Sequence, residues 1–464
     1  METPVRIALA TTAALVTIAL GSAHAAAQDE SVLRIAIPAD YANLTVYTAG
    51  ASDADPFVGL VYDTLFTTPY VDDPQPLLAT SAQAEPGNRT WTIELRQGVE
   101  WHDGRPFTAR DVVTTFELYR DGEPNRWTHH ASESPDMERV EAVDDTTVRI
   151  TCAQPCPTLR DITLADLPIL PAHVWSTVED PQTFDGVAIG TGPYRVGRYT
   201  PGERYTLEAN DAYHGGEPAA DRLQLEIIPE PSSAFLALRS GQVDAVSSPL
   251  PPQLVERFEG SSEVEVLEAT PFSDAELVFN MDREPLDSTA FRRAAMLAID
   301  KDRLVETVLL GRGIPGTRSW PHPASPWTGE NPPMPHDPQQ ARRLLAEAGL
   351  VGTELEILVP QQQPAVQRAT ELAANDLRAV GIDVSLRAVD MATRAELTSE
   401  GEFEAYVWAA TAHALADPTQ LIQSFRASSY LGTYDNPEVG RLLAEAQGAD
   451  TVEEFRSLIT RTHR

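Results

Sequence analysis

The chain predicts an α/β fold built in more than one domain, and three observations carry that prediction. Its final third alternates strand-like and helical patterns, the order that gives a parallel sheet flanked by helices. Its 464 residues are too many for one hydrophobic core, so two or three domains are expected. It is 42% hydrophobic, with no segment beyond the first few turns apolar enough to cross a membrane, so the remainder should fold as a water-soluble globule.

At the start of the chain, Arg6 precedes an apolar run from Ile7 to Leu20, followed by small residues and the triplet Ala23-His24-Ala25. That order reads as a cleavable secretory signal over residues 1–27. The run is too short to span a hydrocarbon core of roughly 30 Å comfortably, which weighs against the competing reading of a retained membrane anchor. No cysteine follows Gly21 or Ser22, so the thiol needed for lipid attachment is not offered. A periplasmic, non-lipidated product is expected.

Val32 to Ile37 suggests a strand, and Trp91, Ile93 and Leu95 alternate as a half-buried strand does. Thr108 and Asp111 form a capping-box signature that opens a helix with Val112, Phe116 and Tyr119 on one face. Leu223, Leu225 and Ile227 alternate again, and a short helix from Ser233 stops near Gly241. Strand patterns then recur at Leu355 to Val359, Ile382 to Leu386 and Phe403 to Trp408, with a helix from Pro364 to Val380 ended by Gly381. Between Gly311 and Pro338 lie eight prolines without periodicity, a long loop that is either functional or a wrap-around linker.

Charge excludes some partners. There are 69 acidic and 35 basic residues, a formal charge of −34, and Lys301 is the single lysine. Such a surface repels nucleic acid and anionic lipid. The acids are spread along the chain, which reads as general solvation, as in a saline habitat, and not as one binding patch. Cys152 and Cys156 are the only cysteines; in an oxidising compartment they are candidates for a small disulfide loop, with two free thiols as the alternative.

Motifs of catalysis are missing from the sequence. It has no His-Glu-x-x-His metal helix, no phosphate loop ending in Gly-Lys-Ser or Gly-Lys-Thr, and no Gly-x-Ser-x-Gly elbow, so neither a cofactor nor a metal is expected. His129 and His130 are adjacent and do not face one site on a regular element. The pairs Asp72-Asp73 and Asp144-Asp145 sit beside turn residues and read as solvated loop acids.

Several stretches together resemble the signature blocks of the peptide-type (family 5) ABC substrate-binding proteins. In order they are VYDTLF from Val61, PLLA from Pro76, WTIELRQGVEWHDGRPFTARDVV from Trp91, GTGPY from Gly190 and GQVD from Gly241. VFNM from Val278, FRRAAMLAID from Phe291, the stretch from Asp337 to Gly349 and the Asp417-Pro418 pair continue the series over nearly the whole mature chain. The resemblance implies an α/β, two-lobed periplasmic-binding-protein-like fold with a discontinuous lobe I and an inserted small subdomain. Lobe I is expected at 28–56 and 187–270, the subdomain at 57–186 and lobe II at 271–464. It also implies a monomeric, non-catalytic receptor that binds a peptide or other small solute between closing lobes and delivers it to ABC transporter permease subunits.

Trp408 and the residues after it resemble the family's cleft-lining stretch, which makes Trp408, Thr411, His413 and Asp417 candidate ligand contacts. Asp417 also suits the N-cap before Pro418, and Trp408 suits a strand-end core position. Asn280, at a strand end near the expected lobe crossing, is a candidate for ligand contact or for a hinge role. Trp320 and His322 are candidates from the Pro-rich loop. Peptide binders of the family commonly place an aspartate three residues before the acid-Pro pair to hold the ligand's ammonium group; here that residue is Ala414. A non-peptide ligand such as a chelated metal, opine or oligosaccharide is therefore an alternative, with a periplasmic hydrolase, or a receptor serving a sensor or acting as a holdase, behind it. Relatives also continue past a helix like Thr451 to Ile459 and return to lobe I, so an incomplete lobe I with an exposed sheet edge is expected here.

Overall fold

The structure is a computed structural model and describes residues 30–47, 55–67, 74–122, 128, 131, 135–247, 250–267, 274–317, 325, 327, 334–361, 363–410 and 436–462. The first strand is β1 (Val32–Ile37). Four more precede residue 153: β2 (Ala79–Ala84), β3 (Thr90–Leu95), β4 (Met137–Asp144) and β5 (Thr147–Cys152). Then come β6 (Tyr194–Thr200), β7 (Arg204–Ala209), β8 (Arg222–Ile227) and β9 (Ala245–Val246). The last four are β10 (Asp274–Phe279), β11 (Glu354–Pro360), β12 (Asp383–Val389) and β13 (Ala405–Ala410).

These strands make three sheets, ordered β6-β7-β8-β1-β9, β2-β3-β5-β4 and β10-β13-β11-β12. In the first, β1 lies between β8 and β9 and pairs parallel with both. Its strands come from both sides of the 79–152 segment, so lobe I is discontinuous and the antiparallel four-stranded sheet is the inserted subdomain. One apolar core runs through both, from Ile37, Leu207 and Leu225 to Ile93, Val148 and Ile150. The third sheet has its own core in lobe II, where Phe291, Leu345 and Leu377 from three helices meet Leu355, Ile357 and Val407. Two separate cores define two lobes.

Local signals account for the elements. The helix Ala109–Asp121 begins where the Asp111 carboxylate accepts the Thr108 backbone N–H at 2.8 Å, an N-terminal arrangement that stabilises a helix by about 1 kcal/mol. Val112, Phe116 and Tyr119 are buried on its inner face. The helix Pro364–Ala379 places Pro at its first position, where a missing N–H costs nothing. In lobe II the three strands of the alternating pattern are parallel as expected, and a fourth strand from outside that pattern joins them. β11, β12 and β13 are parallel, but β10 runs antiparallel to β13. The reason is connectivity: β10 enters from lobe I and has no crossover helix joining it to a neighbour before it.

A helical hairpin, Pro437–Gln447 and Val452–Arg461, ends the described chain. No helix among the described residues is long and apolar enough to cross a membrane.

Candidate ligand-binding cleft

Lobe II presents its two sheet edges differently. Asp274 at the start of β10 lies opposite Ala410 at the end of β13, and Glu276 lies opposite Trp408. The carboxyl ends of β11, β12 and β13 therefore share an edge with the residues through which the chain enters lobe II. In open α/β sheets ligands gather at the carboxyl ends of strands. The backbone of Trp408 lies on the strand that leads to this edge, and Thr411, His413 and Asp417 follow it in the chain. Those three, with Trp320 and His322, lie outside the described residues, as does the side chain of Trp408.

Asn280 is not brought to that edge. It follows β10, whose last residue Phe279 pairs with Ala405, so it sits six residues from Asp274, about 20 Å at the usual rise of a strand. Its side-chain amide donates to Phe403 O at 2.9 Å and Gly401 O at 3.2 Å, while Oδ1 accepts the Asp282 N–H at 3.1 Å. At 6% exposure, its polar atoms pin the turn before β13.

On lobe I, the loop after β1 is fixed by one carboxylate. Asp40 accepts from Tyr205 OH at 2.6 Å, Gly202 N–H at 2.7 Å, Tyr199 OH at 2.8 Å and Ala42 N–H at 3.1 Å. Burial opposes its charge, yet the four donors outweigh burial and hold its pKa below the ordinary carboxylate value. The same burial and bond push the Tyr199 hydroxyl up to about 12. Ala42 and Leu44 take left-handed backbone angles of 50° and 58°, strain that this network and the burial of Leu44 hold in place.

The blocks from Val61, Trp91 and Gly190 converge where the subdomain meets lobe I. Asp63 is buried and accepts from His214 Nε2 at 2.9 Å, Thr191 OH at 3.0 Å and Tyr213 OH at 3.2 Å. His102 Nδ1 accepts the Gly190 N–H at 3.2 Å and its Nε2 donates to Gly192 O at 3.0 Å, which fixes a neutral ring with the proton on Nε2. Burial keeps its pKa below the ordinary 6.5. A Cβ on Gly190 would stand 1.7 Å from Val61 O, so only glycine permits this approach. Sequence patterning gave no sign that Asp63 meets His214 or that His102 reaches Gly190 and Gly192, because these residues come from distant segments. Cys152 and Cys156 are joined in a disulfide at the end of β5.

A two-lobed α/β protein with separate cores, and with strand ends gathered where the chain enters its second lobe, is of the class that holds a small molecule between lobes. Residues 73–432 match the family described as bacterial extracellular solute-binding proteins, family 5 middle, and the chain belongs to that family. It is 28% identical over 417 residues to heme-binding protein A of Haemophilus influenzae, covering 83% of this chain and 76% of that protein. It is 30% identical over 331 residues to a protein of Brucella ovis named for ABC transporter peptide binding, covering 68% of this chain and 60% of that one. In structure it is similar to the periplasmic binding protein DppA of Helicobacter pylori in complex with the peptide STSA. The TM-score is 0.78 at 23% identity, over 94% of this chain and 90% of the other. Members of the family are extracytoplasmic binding proteins.

Proposed function

We propose that this chain is the solute receptor of an ABC-type uptake system, exported to the periplasm after removal of a signal over residues 1–27 and working as a monomer. It closes two lobes on a peptide or peptide-like solute and presents the closed form to the permease. The observation that supports this most is the register of lobe II, which sets Ala410, at the end of β13, opposite Asp274, at the edge where the chain enters from lobe I. Trp408, Thr411, His413 and Asp417 would meet the solute from lobe II, with Trp320 and His322 beside them.

An extended peptide in such a cleft is held through its own main chain, which gives affinity without reading side chains. Closure removes water and strengthens each of those hydrogen bonds.

A second reading, a non-peptide solute such as a chelated metal, is favoured by Ala414, which offers no charge to a peptide's ammonium group. Native mass spectrometry of the mature chain mixed with di- to pentapeptides, haem, nickel–histidine and oligosaccharides tests both. Retention of one class establishes a receptor and its ligand chemistry. Retention of none of the four would count against the proposal.

A further inference from the structure

The hairpin Pro437–Gln447 and Val452–Arg461 follows lobe II in the chain, yet its apolar face is covered from elsewhere. Leu442, Leu443, Ala446, Phe455 and Ile459 are buried in one cluster with Ile162 and Trp327. Ile162 belongs to the subdomain, whereas Trp327 belongs to the Pro-rich segment between two lobe II helices, Lys301–Val308 and Pro338–Glu347. Among the described residues, this cluster takes no member from the lobe II sheet. Trp327 stands edge-on to Phe455, with ring centroids 6.0 Å apart at 90°, and its ring lies 5.2 Å from the Arg456 guanidinium.

The subdomain side of this contact is a shaped surface. The disulfide closes the turn from Cys152 to Cys156, the Cys156 N–H donates to Asn88 O at 2.8 Å, and Arg89 reaches Ala153 O at 2.7 Å. From that surface Asn88 donates its side-chain amide to Asp450 O of the hairpin. Gly448 lies against Gln154, whose amide oxygen would be 3.5 Å from a Cβ placed there. A cavity of about 80 Å³ between the two is lined by Gln154, Cys156 and Thr158 on one side and by Ala446, Gln447 and Phe455 on the other.

We propose that the hairpin is a strap between the lobes. It docks on a subdomain surface that the Cys152–Cys156 bond keeps in shape, holds Trp327, which the chain joins to a lobe II helix on either side, against that surface, and so limits how far the cleft opens. The bond matters because residues 153–158 are loop: without the cross-link their backbone regains conformational freedom, and the surface under Ala446 and Phe455 loses definition. The strap rests on the two-lobed fold and not on the identity of the solute.

Hydrogen exchange and small-angle scattering of the full, ligand-free chain test this against two variants. In Cys152→Ser/Cys156→Ser, the amides of residues 442–459 should exchange about tenfold faster or more, as expected of local undocking, with the helix Pro364–Ala379 unchanged. The radius of gyration should rise. Trp327→Ala keeps the disulfide and should raise the radius of gyration without changing exchange in residues 153–158. Wild-type exchange of the hairpin in the double variant would overturn the role of the bond. An unchanged radius in both variants would overturn the strap.

Discussion

His214 Nε2 lies 2.9 Å from Asp63 Oδ2 although 151 residues separate them, and the two side chains are 8% and 4% exposed. The pair ties the block that opens the subdomain to the turn after β7, while Thr191 donates to the same Oδ2 and Tyr213 to Oδ1. Three of the stretches that make the sequence resemble its family thus serve the joint within lobe I.

Replacing Asp63 with Ala should therefore cost about 3–5 kcal/mol, because one buried and two part-buried donors lose their acceptor together. Urea unfolding monitored by tryptophan fluorescence measures it. A loss below about 1 kcal/mol, the size of an exposed ion pair, would contradict the reading of this site as a structural lock.

Gly190→Ala should be at least as damaging, about 3 kcal/mol or more, since the new Cβ would stand 1.7 Å from Val61 O and the backbone must move to admit it. Equilibrium unfolding, or failure to accumulate as soluble protein, reports the outcome; a fully stable variant would contradict the close approach.

His102 makes stability depend on pH. Its folded pKa is depressed below 6.5 by burial, so between the folded value and 6.5 the unfolded chain binds more protons than the folded one. Stability should fall as pH drops through 6.5 and level off for this group below its folded pKa. The melting temperature followed from pH 8 to pH 5 tests this, and His102→Asn should flatten that part of the curve.

The formal charge of −34 implies self-repulsion that salt screens. The melting temperature should rise as sodium chloride increases from low to about 1 M, where the screening length falls to about 3 Å. A flat response would contradict a role for this net charge in limiting stability.

Much of the fold was legible in the sequence where one face is buried. β1 occupies the Val32 to Ile37 run, and the alternation of Trp91, Ile93 and Leu95 is the buried face of β3. Thr108 caps its helix as the spacing to Asp111 suggested, and Thr451 caps the last one. Boundaries moved where tertiary contacts intervene: β13 starts at Ala405 and not Phe403, because the Phe403 carbonyl is taken by Asn280. The antiparallel entry of β10 was not legible, since direction within a sheet depends on what the chain joins and not on its pattern. Trp320 and His322 lie outside the described residues; Trp327 of the same Pro-rich stretch is buried, and nothing in the local sequence marks it as a packing residue. Of the candidate cleft, the lobe II strand ends were readable from periodicity. The Asp63 network was not, because buried polar contacts between distant segments leave no periodic trace.

Thermal unfolding of the mature chain against di- to pentapeptides, haem, nickel chelates and oligosaccharides tests the central claim, that the cleft is a solute receptor. A true ligand at 100 times its dissociation constant should add about 2.7 kcal/mol and raise the melting temperature visibly, and the gain should shrink in Trp408→Ala. Cooperative unfolding at one unchanged temperature across the whole panel would contradict the account.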